Sequence, residues 1–147
     1  MSSLRTIHRT IAAVLIYDCD GYLLMGWKDN RGATYPESWS LPGGGQEKNE
    51  SIKDAAVREV FEETGLIIQA KQLKVVKKGA QTGEALRTLA SGECVNCLMD
   101  AYRFKVHLEQ SRHNVSLPME GEFAAWRWFA PDEVIYNDTA FIYVSPR

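Results

Sequence analysis

Nothing in this sequence approaches the run of about 18 apolar residues that a membrane-spanning helix needs, and the stretch Ile11 to Tyr17 is too short and strand-like for a secretory signal. A cytoplasmic protein is expected. Cysteine is scarce and odd in number, with only Cys19, Cys94 and Cys97. The pair Cys94-x2-Cys97 has no second Cys or His pair at a distance suited to zinc, and residues three apart in a strand face opposite sides. Reduced, structural thiols are the reading that remains. The histidines His8, His107 and His113 are scattered and form no ligand pattern. Excess basic charge is also missing. A formal net charge of −2 argues against a broad basic surface for nucleic acid, so a polyanionic ligand would have to be met by metal and a few local cations. There are no repeats and no low-complexity tail.

What is present suffices for one sizeable core: 45% of the 147 residues are hydrophobic, and a single domain over residues 1–147 is expected. Thr10 to Tyr17 and Tyr22 to Trp27 flank the turn Asp18-Cys19-Asp20-Gly21 and predict a hairpin. Asp29 to Glu37, with Gly32 and Pro36, is a polar loop of a length that suggests a substrate-side role. Leu66 to Lys78 contains strand-like apolar segments, and Gly79 to Gly92 shows little periodicity and predicts a long connection. Cys94 to Leu108 predicts one long strand, in which Tyr102, Phe104 and Val106 alternate with Arg103, Lys105 and His107. A loop over Glu109 to Gly121 leads to a strand over Phe123 to Phe129, and Ala130-Pro131-Asp132-Glu133 starts a short helix. Strands, one helix, strands and a terminal helical piece make an α+β layered domain.

The densest chemistry lies between Gly44 and Leu66, in the pattern Gly44-x5-Glu50-x7-Arg58-Glu59-Val60-x-Glu62-Glu63-x-Gly65-Leu66. The capping pattern Ser51-x-x-Asp54, the run Ala55-Ala56-Val57 and the stop at Gly65 predict a helix over Ser51 to Thr64. Ile52, Ala55, Ala56 and Val60, with Phe61 at the margin, form the face that packs on a sheet. Helical spacing then brings Glu59, Glu62 and Glu63 to one side, about 4.5 to 6 Å apart along the axis, with Arg58 four residues before Glu62. Carboxylates that close repel one another unless a cation sits among them, and hard oxygen ligands of this kind suit Mg²⁺ or Mn²⁺. An arbitrary Glu-x-x-Glu-Glu is usually a solvated helix face. Seven fixed identities and two apolar positions at set spacing, however, arise by chance with a probability on the order of 10⁻¹⁰ per window.

This segment resembles the signature of the Nudix hydrolases, the MutT-type superfamily, at every specified position. Trp39-Ser40-Leu41-Pro42-Gly43-Gly44 is similar to the strand and glycine turn that precede that signature, and Trp126 to Val134 is similar to the family's closing strand and helix. The resemblance implies an α/β/α sandwich with a mixed β-sheet and a signature loop-helix over 44–66. It further implies metal-dependent hydrolysis of a phosphoanhydride bond in a nucleoside diphosphate derivative. Glu59, Glu62, Glu63 and a backbone carbonyl at Gly43 or Gly44 would then be metal ligands, Arg58 would fix the glutamates, and Glu50 would begin the helix. Of the acids outside the signature, Glu120 and Glu122 are candidates for the general base, and Glu122 is favoured. Lys28 and Arg31 are candidate cations for the outer phosphates. Trp27, Tyr35 and Phe104 could stack on a base or serve as packing.

Within the family the intact signature counts against GDP-sugar hydrolases, and the Leu41-Pro42-Gly43-Gly44 turn against isopentenyl diphosphate isomerase. ADP-ribose hydrolases often carry a proline where this chain has Gly79-Ala80-Gln81-Thr82. Dinucleoside polyphosphate enzymes often carry a tyrosine that is absent here before Tyr102, and the coenzyme A motif is missing. The resemblance that remains is to small bacterial nucleoside triphosphate pyrophosphohydrolases, through Lys28-Asp29-Asn30-Arg31-Gly32 and Gly121-Glu122-Phe123. The expected reaction converts a nucleoside or deoxynucleoside triphosphate to monophosphate and pyrophosphate. Other diphosphate derivatives (ADP-ribose, a nucleotide sugar, an RNA 5′ end) and a non-catalytic nucleotide sensor are the alternatives, in a monomer or homodimer.

Overall fold

The computed structural model describes residues 4–28, 38–76, 78–133 and 143–144. The predicted hairpin is present as β1 (Thr6–Tyr17) and β2 (Leu23–Lys28), but the two strands pair only next to their turn, at Tyr17 and Leu23. Beyond that point they splay. The space beside β1 is taken by the glycine strand β4 (Gly43–Gly45), antiparallel at Ile11↔Gly45, Ala12↔Gly44 and Ala13↔Gly43. On its other edge β1 runs parallel to β7 (Cys94–His107) along its whole length, from Thr6↔Asn96 to Tyr17↔His107. β2 instead pairs with β3 (Ser38–Ser40) and β8 (Ala125–Phe129), and β3 with β9 (Tyr143–Val144). The result is the expected α+β fold with a mixed sheet.

Among the described residues one α-helix, α1 (Ile52–Thr64), packs on the sheet. It starts where Ser51 accepts a hydrogen bond from the Asp54 N–H at 3.1 Å and ends at Gly65, which takes the left-handed conformation (φ 78°) that favours glycine. Its buried face, Ala55, Ala56 and Val60, meets Ala12, Val14 and Ile16 of β1 and Phe104 and Val106 of β7. The alanines allow helix and sheet to approach closely. Phe61 lies off this face, 54% exposed. On the opposite face of the sheet Ala13, Leu15, Leu23, Met25, Leu41 and Phe129 form a second cluster, continued by Ile11, Cys97, Met99 and Ala101.

One expectation about the strands needs correction. Gly79 to Gly92 is not a featureless connection, because Gln81–Thr88 forms a strand, β6, antiparallel to β7 over its full length. Between Leu66 and Lys78 the regular structure is a 3-10 turn at Ala70–Gln72 and a two-residue strand, β5 (Lys74–Val75). The two faces expected of β7 are distinct: Phe104 and Val106 pack under α1, while Arg103, also buried, lies on the other side. The helical start at Pro131 is a 3-10 turn, Pro131–Glu133, and the rest of the closing helix implied by the resemblance falls on 134–142, outside the described residues. Cys94 is exposed and Cys97 buried, as opposite faces of a strand require, and all three thiols are unpaired. Among the described residues no helix is long and apolar enough to cross a membrane.

The β1–β2 turn is organised by one buried carboxylate. Asp18 Oδ1 accepts from the N–H groups of Asp20 (3.0 Å) and Tyr22 (2.9 Å), and Oδ2 accepts from Arg112 N (2.9 Å) and Arg112 Nη1 (3.2 Å). The Arg112 guanidinium lies 3.5 Å over the Tyr22 ring, so the turn and the loop after β7 are joined. Burial opposes the Asp18 charge, but the bonds from Arg112, Tyr22 and Asp20 outweigh it and hold the carboxyl below its ordinary range. Because the folded value lies below the unfolded one, this stabilisation is complete above the unfolded pKa and is lost as pH falls through the folded one. Asp18→Asn is therefore expected to unfold about 2 kcal/mol more easily than wild type near pH 7 in urea, with the difference shrinking below about pH 4.

Candidate active site

Arg58, nearly two turns into α1, reaches back to the loop that precedes the helix. Its Nε and Nη2 donate to the two Glu50 oxygens at 2.8 and 3.0 Å, a bidentate pair, and Nη2 also donates to the Gly45 carbonyl at 2.9 Å. Nη1 donates to Glu59 at 2.9 Å and to Glu62 at 3.3 Å, and lies 3.7 Å from Glu47. The hydrogen bonds from Arg58, followed by that from the Glu47 N–H, bring the Glu50 carboxyl down to about 2. The same bonds, Glu50 first, raise Arg58 above its already high range. Loop and helix are thus fixed to each other by charge-assisted bonds.

Above this hub the glutamates separate by role. Glu62 is 54% exposed, whereas Glu59 and Glu63 turn inward, in keeping with the roughly 100° between successive helical residues. Glu59 lies against Gly44 so closely that a Cβ there would sit 2.5 Å from its carboxyl group, which accounts for the glycine. Glu63 is buried; Oε1 accepts from the Gly43 N–H at 2.7 Å, while the buried Oε2 has no hydrogen-bond partner. Burial, then the neighbouring Glu122 carboxylate, push the Glu63 carboxyl far above its usual range, opposed by the Gly43 N–H and by Lys28. Glu59 is also raised, by burial first, against the pull of Arg58, with Glu62 and Glu122 adding to the rise.

Glu122 comes from a distant loop to the inward glutamates, and Lys28 arrives with it in a 3.1 Å ion pair. Glu120 is exposed and has no contact with the cluster among the described residues. Arg31 and Tyr35 lie outside the described residues. Phe104 belongs to the core under α1 and cannot stack on a base, and Trp27 packs edge-on against Trp39 with ring centroids 5.3 Å apart. Sequence reasoning missed the Gly43 N–H as a donor to Glu63 and the Gly45 carbonyl as an acceptor from Arg58. Only the glycine-rich composition hinted at such close backbone approach.

An orphaned buried carboxylate oxygen among like charges is costly unless a cation completes it, and the donors are all hard oxygens, so the residues present fit Mg²⁺ or Mn²⁺. The tighter acidic group Asp18, Cys19 and Asp20, with ligand atoms within 4.8 Å of one another, has a different cause, since both Asp18 oxygens are already bonded within the turn. A family model described as the NUDIX domain matches residues 6–144. The chain belongs to the Nudix family. The nucleoside triphosphatase NudI of Escherichia fergusonii is 31% identical over 132 residues, spanning 88% of this Nudix chain and 87% of the relative, and that of Escherichia coli is 29% identical over 133. A MutT protein from Methanosarcina mazei Go1 shares the Nudix fold at TM-score 0.59 and 22% identity, covering 89% of this chain and 83% of its own. The E. coli dihydroneopterin triphosphate pyrophosphohydrolase does so at 0.57 and 21%, with 84% and 82% covered. These structural likenesses concern the fold.

Lysine in place of Arg58 keeps the charge but cannot donate to Glu50, Glu59 and Gly45 together. Arg58→Lys is expected to lower the midpoint of thermal unfolding by roughly 5 °C, measured by circular dichroism without added metal.

Proposed function

We propose that residues 1–147 form a single cytoplasmic Nudix domain that hydrolyses nucleoside or deoxynucleoside triphosphates to monophosphate and pyrophosphate with a divalent ion, Mg²⁺ or Mn²⁺. The observation that carries this reading is the buried Glu63 carboxylate, held on one oxygen by the Gly43 N–H and left without a partner on the other, beside Glu59 and Glu122. Similarity to the NudI nucleoside triphosphatases over nearly the whole chain supports the triphosphate as substrate. Glu59, Glu62, Glu63 and the backbone carbonyl of Gly44 are the assigned metal ligands. When bound, the ion draws charge from the phosphate oxygens and makes water more acidic.

The protein's own groups do the rest. Arg58 holds Glu59 and Glu62 in register with the loop. Glu122 is the base that takes the proton of the attacking water, and its ion pair with Lys28 fixes its position. The anhydride bond between the α- and β-phosphates breaks; water supplies hydroxide to one fragment and a proton to Glu122, which returns it to solvent.

Glu63→Gln is expected to slow pyrophosphate release from a panel of nucleoside triphosphates by about a hundredfold or more in Mg²⁺, and chelation to abolish wild-type turnover. Glu122→Gln should lower kcat with little change in KM, as loss of a group that acts only in the transition state requires. A wild-type enzyme that binds nucleotides but releases no pyrophosphate from any of them would contradict the proposal.

A further inference from the structure

We propose that β6 is a docking edge for a second copy of this chain, the two β6 strands pairing antiparallel about a two-fold axis so that the sheet runs on from one molecule into the other.

The edge follows from the directions of the hydrogen bonds along β7. One side of β7 is occupied by β1 from Asn96 to His107, and β5 and β6 share the other side. The Asn96 N–H donates to the Arg5 carbonyl, just before β1, at 2.9 Å, whereas the Arg103 carbonyl accepts from Val76, just after β5, at 3.1 Å. Odd-numbered residues of β7 therefore turn their backbone groups toward β5 and β6. In an antiparallel pair, residues that face each other in this way exchange both bonds, and on β6 they are Gln81, Gly83, Ala85 and Arg87. The Leu89 N–H, which donates to the Glu93 carbonyl at 2.8 Å, has the same parity. Thr82, Glu84, Leu86 and Thr88 consequently send N–H and C=O outward, and among the described residues no strand pairs with that edge.

The side chains leave the edge open as well. Thr82, Glu84, Leu86 and Thr88 stand on the α1 face of the sheet, because their partners on β7 have the parity of Phe104 and Val106. Each of them is exposed all the same, Leu86 to 65%. Edges that stay single are commonly guarded by proline, lysine or a bulge. β6 contains neither proline nor lysine, and its register with β7 is unbroken from Gln81↔Ala101 to Thr88↔Cys94.

An occupant has to present a strand of similar length whose free backbone groups recur at every second residue, and β6 itself meets that description. A two-fold axis through Ala85 pairs Thr82 with Thr88, and Glu84 with Leu86, of the other copy, and in this register every outward residue finds an outward partner. Ala85 then meets its own counterpart and Gly83 lies opposite Arg87, so no like charges are directly opposed. An axis through Glu84 would set two carboxylates against each other, and one through Leu86 would leave Thr82 unpaired. In the Ala85 register the turn over 89–92 of one copy comes toward Lys78 and Gly79 of the other, at the rim of a 390 Å³ cavity walled by Ile52, Val75, Tyr102 and Phe104. Val75, 54% exposed, belongs to the same edge, so the contact continues past the strand.

The test is sedimentation velocity of the full chain from about 1 to 100 µM, with amide hydrogen exchange at both ends of that range. Wild type is expected to pass from monomer to dimer. The amides of Thr82, Glu84, Leu86 and Thr88 should exchange about tenfold or more slowly in the concentrated sample, while those of Gly83, Ala85 and Arg87, bonded to β7 in either state, change little. Glu84→Pro removes an outward donor and no bond to β7, so it should melt within about 5 °C of wild type and stay monomeric throughout. Glu84→Ala keeps that donor and should dimerise as wild type does. If Glu84→Pro does not fold, Thr82→Pro, which removes the outward donor at the strand end, takes its place and should weaken the dimer about tenfold or more. A wild-type chain that sediments as a monomer at every concentration would overturn the proposal, as would a dimer undiminished in a folded proline variant. Slow exchange at the outward amides that is the same at both concentrations would also overturn it, because the edge would then be covered within one molecule.

Discussion

One guanidinium carries most of the organisation of the candidate site. Arg58 donates to Glu50, Glu59, Glu62 and the Gly45 carbonyl, and so fastens the loop over 45–50 to the helix that follows it. Without that cation the acids of loop and helix would repel one another and the loop would move away. With it, Gly45 is held, β4 stays paired along β1, and the Gly43 N–H meets Glu63. The glutamate that gains most from this order is also the one left with an unpartnered oxygen, which makes it the natural place for a cation.

The second constraint is the splay of β1 and β2. Because the two strands pair only at the turn, β1 has a free edge for the glycine strand, and β2 carries Lys28 to the end of the sheet where it meets Glu122. Asp18 and Arg112 fix the pivot of that splay. The residues of β4 stand between the acids beside α1 and the Arg9 side chain on the other face, touching both. Glycine in β4 leaves space for that contact, since Gly44 lies against the Glu59 carboxyl and Gly45 against Arg9.

Local features could be read directly from the sequence. The Ser51 cap and the Gly65 stop depend on residues within one helix and appear as expected, whereas of the three glutamates expected on one side only Glu59 and Glu63 turn inward and Glu62 is exposed. Glu122 was reached through the family resemblance rather than spacing, and its proximity to Glu63 depends on a loop 59 positions away in sequence. Non-local pairing was the blind spot. β6 has weak alternation because it lies along β7 with mostly exposed or half-exposed residues, so no apolar stripe announces it. Phe104 looked as suitable for base stacking as Trp27, and only the packing of α1 shows it to be core. The burial of Arg103 needs the register of three strands, which no short window contains.

The central claim is that Glu63 and its neighbours bind a divalent ion. Electron paramagnetic resonance of Mn²⁺ titrated into the protein tests it most directly, because the free aqueous ion gives the dominant signal and a protein-bound ion removes it. Wild type should deplete the free-ion signal saturably, and Glu63→Gln should leave much more of it at every concentration. A free-ion signal identical with and without wild-type protein would contradict the account.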